Sequence, residues 1–308
     1  MAATPTPRPE LTGATVVITG ASSGLGRGVA LALAASGANV VLAARRADLI
    51  EELAAKIIET GGNSLAVTTD VSREEDVSRL AAAAVDRFGQ MDVWVNNVGV
   101  GALGFFWDVP AKDHARVVDV NLKGLVFGAC EALARFRAQG FGTLVNIGSI
   151  DSEMPLAYQA SYAATKAAVR SLGRSLNEEL RLAGFEGIHV CTVMPWAVDT
   201  PWWTHAANYT GRTPRMAAMD EPALVIDAIV RACAEPEEEV PVGAKARVSN
   251  ASHQWFPELT ERLSAELADR EIAKADPLPH TSGAIHAPMK EGAGINGGIR
   301  ERMAREDA

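Results

Sequence analysis

Between residues 15 and 242 the chain alternates short β-branched runs with longer Ala- and Leu-rich amphipathic stretches. The runs fall at 15–19, 39–44, 64–68, 92–96, 142–148, 188–194 and 239–242; helical patterning covers 24–36, 47–60, 73–88, 117–139, 160–183 and 221–234. Val-Val-Ile at 16–18 and Val-Trp-Val at 93–95 are apolar at every position, as expected of strands covered on both faces. Seven such strands joined by six helical crossovers predict a doubly wound, Rossmann-type α/β fold built on a parallel sheet.

Two segments depart from this rhythm. The stretch 201–222 is long for a connection and carries Trp202, Trp203 and Tyr209, so it is expected to be a lid. Beyond a helical pattern over 255–274, the tail is rich in Pro and Gly, including Gly292-Ala-Gly-Ile-Asn-Gly-Gly298. That composition suits an arm that closes the pocket or wraps a neighbouring subunit, and equally a disordered one. The expected organisation is therefore a flexible arm over 1–11, a sheet domain over 12–255 and a helix with a Gly/Pro-rich tail over 256–308.

With 29 basic and 38 acidic residues the chain carries a formal charge of -9, and it has no Lys/Arg block. This argues against duplex nucleic acid as a partner. Cys130, Cys191 and Cys233 are too few and too scattered for a disulfide framework, which points to a reducing, cytoplasmic setting. No stretch reads as a signal peptide or a membrane span. The six histidines show no metal-ligand spacing, and His280 and His286 in the tail make a poor site.

Directly after the first strand comes Thr19-Gly-Ala-Ser-Ser-Gly-Leu-Gly26, leading into a helix. Glycines permit a tight turn and close approach to a pyrophosphate, and free amides at a helix start favour an anion. Gly20, Ser22, Ser23, Gly24, Leu25 and Gly26 are thus candidate dinucleotide contacts. The second strand ends without the acid that would bind a ribose 2′-hydroxyl, and Arg45 and Arg46 follow it. Guanidinium groups there suit a 2′-phosphate, so NADP(H) is preferred and NAD(H) remains possible. The other reading makes these arginines, Arg46 above all, solvated charges at a helix start.

Tyr162-Ala-Ala-Thr-Lys166 lies in a helical pattern, whose i, i+4 spacing puts phenol and ammonium on one face. A neighbouring ammonium is expected to lower the phenol's pKa and fit it for proton transfer. Ser149 ends the fifth strand, at the edge where such sheets bind ligands.

From about residue 12 to 242 the chain resembles the short-chain dehydrogenase/reductase family, in its single-domain branch. The motifs stand in that family's order: Thr19-Gly-x-x-x-Gly-x-Gly26, Asp70-Val71, Asn96-Asn-Val-Gly99, Asn121, Ser149 and Tyr162-x-x-x-Lys166. The resemblance implies an NADP(H)-dependent oxidoreductase interconverting a carbonyl and a secondary alcohol. It implies Tyr162 as acid/base, Ser149 orienting the substrate oxygen, Lys166 also binding the nicotinamide ribose, and Asn121 holding a relay water. It further implies adenine contacts at Asp70 and Val71, Asn97 along the adenosine ribose, Gly99 in the same cofactor wall, and a structural role for Asn96. Pro195, Val198 and Thr200 follow strand six, the last two at the positions expected to bind the carboxamide.

The chain departs from the family at Trp196, where glycine commonly follows the proline; this Trp suits either the substrate site or packing beneath the lid. Val98, where Ala is usual, is a mild enlargement. Tyr158, Glu153, Trp202 and Trp203 are further substrate-pocket candidates, although Tyr158 also suits helix-start packing and Glu153 a solvated loop. The expected partners are a small ketone or alcohol and further copies of the chain, as homodimer or homotetramer through the helices over 117–139 and 160–183. The competing function is a catalytically silent NADP-binding sensor or scaffold. An epimerase or dehydratase of the longer branch fits poorly, because the region after 242 is too short for its substrate domain.

Overall fold

The computed structural model describes residues 9–307. Most of the arm expected over 1–11 lies outside the described residues; Pro9–Leu11 forms a single 3-10 turn whose Leu11 is buried. The central sheet has seven strands: β1 Thr15–Thr19, β2 Asn39–Ala44, β3 Asn63–Thr68, β4 Val93–Asn96, β6 Gly142–Ile147, β7 Ile188–Pro195 and β9 Glu239–Val242. They run in the order β3-β2-β1-β4-β6-β7-β9, every pair parallel. Two short strands, β5 Ala102–Leu103 and β8 Ala207–Asn208, make a separate parallel pair.

Strand residues are divided between two helical layers, which explains the apolar runs. Val16 and Ile18 of β1 pack on one face with α1 (Gly24–Ala35) and α8 (Pro222–Ala234), whereas Val17 packs on the other with α3 (Glu74–Phe88) and α5 (Gly124–Gln139). α2 (Ala47–Glu59) joins the first layer and α6 (Ala160–Leu182) the second. Strand order reverses between β1 and β4, which opens a crevice at their C-terminal ends.

The helix expected over 117–139 is interrupted. It begins earlier, as α4 (Ala111–Val118), passes through a π-turn at Asp119–Lys123 and continues as α5. Such π-turns are frequent at functional sites, and this one contains Asn121. Segment 201–222 contains α7 (Trp202–His205) and β8, so it is tied to the sheet domain through β5. After β9 the chain forms α9 (Gly243–Trp255), absent from the sequence expectation, and α10 (Pro257–Lys274).

The tail that follows packs back across the C-terminal edge of the sheet and ends in α11 (Ile299–Glu306). Bridges pair Asn208 with Thr281 and Arg212 with Pro277, so the tail and segment 201–222 are stitched together. Among the described residues no helix is long and apolar enough to cross a membrane.

Candidate active site

The turn between β1 and α1 is shaped by the close approach of its own backbone. A Cβ on Gly26 would lie 2.3 Å from the Gly20 carbonyl oxygen, so only glycine fits. Asn97 fixes this turn from the neighbouring strand, its side-chain amide donating to the Thr19 carbonyl at 2.9 Å. Asn96 braces the strands as expected: its amide donates to Asn146 at 3.0 Å and its carbonyl accepts from the Trp94 indole at 2.7 Å. Gly20, Ser22, Ser23, Gly24, Leu25, Asp70, Val71, Asn97 and Gly99 line one long cleft, which continues past Ser149, Tyr162 and Lys166 to Pro195, Val198 and Thr200. A cradle that a Cβ would fill, leading into the amides of a helix start, suits a dinucleotide pyrophosphate.

Ser149 caps the 3-10 turn Ile150–Ser152, its hydroxyl accepting from the Asp151 N–H at 3.2 Å. The same hydroxyl donates to the Asp151 carboxylate at 3.1 Å and shares the cleft with the Tyr162 phenol. Lys166, one turn along α6, places its Nζ 5.5 Å from the centre of the Tyr162 ring and donates to the Ile147 carbonyl at 2.5 Å. Asn121 stands one layer back: its amide donates to Val100 and Thr165 and accepts from the Val100 N–H, with no hydrogen bond to Lys166 or Tyr162.

The electrostatics reverse one sequence expectation. Burial, together with the Asp151 carboxylate, pushes the Tyr162 phenol up rather than down, and the nearby Ser149 hydroxyl offsets only part of this. Burial also depresses Lys166, to about 8, with Asp151 opposing that fall. The buried Asp151 carboxyl is itself raised, to about 7, by desolvation; hydrogen bonds from Leu156 and Ser149 and the Lys166 charge hold it below what burial alone would give. Asp151 went unrecognised in the sequence, where the only signal was an acid two residues after the candidate serine.

At the other end of the cleft the tail covers the arginine pair. Arg45 donates to the carbonyls of Ala284, Ile285 and His286, and Arg46 to those of Met289, Glu291 and Gly292. Arg46 also donates to the hydroxyls of Ser22, at 3.0 Å, and Ser23, at 2.6 Å. Among the described residues neither guanidinium has a carboxylate within ion-pair distance. Burial lowers the pKa of both. Arg116, which pairs with Asp70 at 3.0 Å, donates to the Ile285 carbonyl as well. Ala284, Pro288 and Met289 of the tail form part of the cleft wall.

The family model for short chain dehydrogenases matches residues 14–209. The chain belongs to the short-chain dehydrogenase/reductase family. An uncharacterized oxidoreductase, YxnA of Bacillus subtilis (strain 168), is 34% identical over 255 residues, 82% of this chain and 71% of that one. 3beta-hydroxysteroid dehydrogenase 1 of Eggerthella lenta is 37% identical over 194 residues, 62% of this chain and 73% of the other. A short-chain dehydrogenase/reductase from Burkholderia phymatum, solved in complex with NAD, superimposes with a TM-score of 0.72 at 27% identity, covering 88% of this chain and 99% of that one. The chain is therefore an oxidoreductase acting on CH–OH groups with a nicotinamide cofactor.

Trp196, Trp202 and Trp203 of this dehydrogenase all line the cleft. The Trp202 ring meets Tyr162 at 5.1 Å and Trp203 edge-on at 5.0 Å, and the Trp203 indole donates to the Val198 carbonyl at 2.9 Å. Two pocket candidates are displaced. Glu153 forms an ion pair with Arg170, which also pairs with Glu239 at 2.8 Å, and this holds Glu153 out of the cleft. Tyr158 precedes α6 in the left-handed region (φ 67), so the one-turn spacing to Tyr162 does not apply. Its hydroxyl donates to Asp269 of α10 and its ring packs at 4.7 Å on Phe105, outside the main cleft.

Proposed function

We propose that this dehydrogenase is an NADP(H)-dependent carbonyl reductase in which Tyr162 is the proton donor and acceptor. The observation that carries the reading is Ser149, Tyr162 and Lys166 on one cleft, with the Lys166 Nζ 5.5 Å from the Tyr162 ring and the Trp202 ring packed 5.1 Å from it. When bound, the cofactor supplies a hydride to the carbonyl carbon. Tyr162 gives its proton to the carbonyl oxygen; because burial holds the phenol protonated through neutral pH, the resting site is set for reduction. Ser149 would donate its hydroxyl proton, given to Asp151 in this structure, toward the developing alkoxide. Lys166 positions the nicotinamide ribose, and the π-turn at Asn121 shapes the path behind it, with its side chain bracing Val100 and Thr165.

Two features support NADP(H) over NAD(H): the absence of an acid at the end of β2 and two guanidiniums there without ion-pair partners among the described residues. Asp70, Val71 and Asn97 would flank the adenosine, and Val198 and Thr200 the carboxamide. Trp196, Trp202, Trp203, Leu156 and Met216 line the substrate side, which suits a bulky apolar ketone. The Eggerthella lenta relative, a 3beta-hydroxysteroid dehydrogenase, is in keeping with that class. We place the enzyme in a reducing cytoplasm, as a homodimer or homotetramer through α5 and α6.

Tyr162→Phe tests the reading. It is expected to abolish NADPH oxidation with a panel of aryl ketones and steroid ketones while leaving NADPH affinity nearly unchanged. Turnover at the wild-type rate in that variant would refute the acid/base role. A wild type that binds NADPH but reduces no carbonyl would instead point to a silent sensor.

A further inference from the structure

The Ser149 hydroxyl has one proton to give and lone pairs to accept with. It accepts from the Asp151 N–H and donates to Asp151 Oδ2 at 3.1 Å. The other carboxyl oxygen, Oδ1, accepts from the Leu156 N–H at 3.0 Å, and Gln159 reaches both oxygens at 3.3–3.4 Å. Bracing of the loop therefore runs chiefly through Oδ1, and the hydrogen bond of Oδ2 to Ser149 is free for another role. Asp151 is 4% exposed and lines the same cleft as Tyr162.

We propose that Asp151 is a positioning residue for the carbonyl reaction, its carboxyl setting whether the Ser149 hydroxyl turns its proton to Asp151 or to the substrate oxygen. This deepens the acid/base reading of Tyr162 and rests on it. An ionised carboxylate is acceptor-only and claims the serine proton, so the substrate oxygen loses a donor. A protonated carboxyl keeps the Leu156 bond on Oδ1 and donates from Oδ2 to Ser149 Oγ, and the serine proton is released toward the substrate. No bond is made or broken at Asp151: the transferred proton still comes from Tyr162.

The groups that face Asp151 are few. Tyr162 and Lys166 come from α6. On α9, which packs on the same turn, Lys245 is paired with Asp220 and Arg247 is exposed. β7 offers His189, exposed near its start, and Cys191, buried between its neighbours in the sheet. Glu153 is held by Arg170. Burial raises the Asp151 carboxyl to about 7, and Lys166 is the charge that opposes the rise.

An infrared pH titration of the intact chain with NADPH present, comparing wild type, Asp151→Asn and Ser149→Ala, tests this. The expected result is a carboxylic-acid C=O band that vanishes with a midpoint of about 7 in wild type, is missing in Asp151→Asn and shifts in Ser149→Ala. A wild type with no such band, or a band indifferent to Ser149→Ala, overturns the proposal. The Ser149→Ala arm keeps the native carboxyl, so the proposal can still be overturned even where Asp151→Asn fails to fold.

The kinetic arm measures NADPH oxidation with acetophenone. Wild-type kcat is expected to fall about fivefold between pH 7 and 8, as one protonated group is lost, and Asp151→Asn to show no such fall. The same inflection in Asp151→Asn overturns the proposal. An active Tyr162→Phe would sink the acid/base reading alone, since the infrared result does not depend on it.

Discussion

The carbonyl of Gly294 accepts a hydrogen bond from the backbone N–H of Gly24 at 2.9 Å. Tail backbone thereby occupies a donor at the start of α1, where a helix leaves its first amides without internal partners. The six carbonyls around Arg45 and Arg46, and the Asp199 carboxylate that accepts from the N–H groups of Ile299 and Arg300, extend the same strap along the cleft. In the proposed binding mode the cofactor uses these same groups, so the strap is expected to gate exchange of the adenosine end.

Gly283→Val lifts the strap without shortening the chain. Gly283 sits at φ +52, and a Cβ there would lie 2.4 Å from the His205 carbonyl oxygen and 2.5 Å from that of Ala206, both backbone atoms that cannot yield. NADPH is expected to dissociate about tenfold faster from this variant, a change carried mainly by the off-rate. Stopped-flow fluorescence of bound NADPH measures it, and an unchanged off-rate would mean the tail is only a surface cover.

In the proposed function Arg46 is the residue expected to separate the two cofactors. Its guanidinium already holds the Ser22 and Ser23 hydroxyls, an arrangement that presents donors to a phosphate, which binds them more strongly than a neutral ribose hydroxyl would. Arg46→Ala is expected to lower kcat/KM for NADPH by about 10- to 100-fold, the worth of one charge-assisted hydrogen bond. With NADH the value is expected to stay within about threefold. Equal losses with both cofactors would place the side chain in a structural role.

The sheet was legible because strands buried on both faces must be apolar throughout; the expected 15–19, 39–44 and 239–242 coincide with β1, β2 and β9. The π-turn was not, since Asn121 sits among ordinary helix formers and only backbone hydrogen bonding reveals the break. The tail's docking was equally hidden: it is held to Arg45, Arg46 and Arg116 by main-chain carbonyls, which any sequence supplies. The family order of motifs located Ser149, Tyr162 and Lys166, but spacing alone misplaced Tyr158, because a left-handed residue precedes the helix. The sign of the phenol's shift needed the burial of Tyr162 and the neighbouring Asp151, neither of which spacing shows.

Arg215 anchors the end of the tail. Its side chain is fully buried and contacts Glu271 at 3.3 Å, Glu306 at 2.6 Å and Asp307 at 2.7 Å, so it joins α10 to α11. Removing the cation leaves the largely buried Glu271 and Glu306 with Lys274 and Arg302 as their remaining cations, so the cost is expected to stay below the about 3–5 kcal/mol of a fully unpaired buried charge. Arg215→Leu is expected to lower the urea midpoint accordingly and to raise amide exchange in α11 before the sheet. Uniform exchange across both would show that the cluster does not hold the tail separately.

Asp151 also marks the pH dependence of stability. In the folded chain its carboxyl is held at about 7, chiefly by burial, whereas an unfolded chain releases the same proton at roughly 4. Between these values the folded form binds a proton that the unfolded form has lost, so stability falls as pH rises through that window. Lys166 acts with the opposite sign and at higher pH: depressed to about 8, it penalises the fold below that value and the penalty fades as pH climbs toward the ordinary lysine range. Asp151→Asn removes the first effect. Its urea midpoint, relative to wild type, is expected to rise between about pH 4 and pH 7. Midpoints that run parallel across that range would show that the Asp151 carboxyl has an ordinary affinity for its proton in the folded chain.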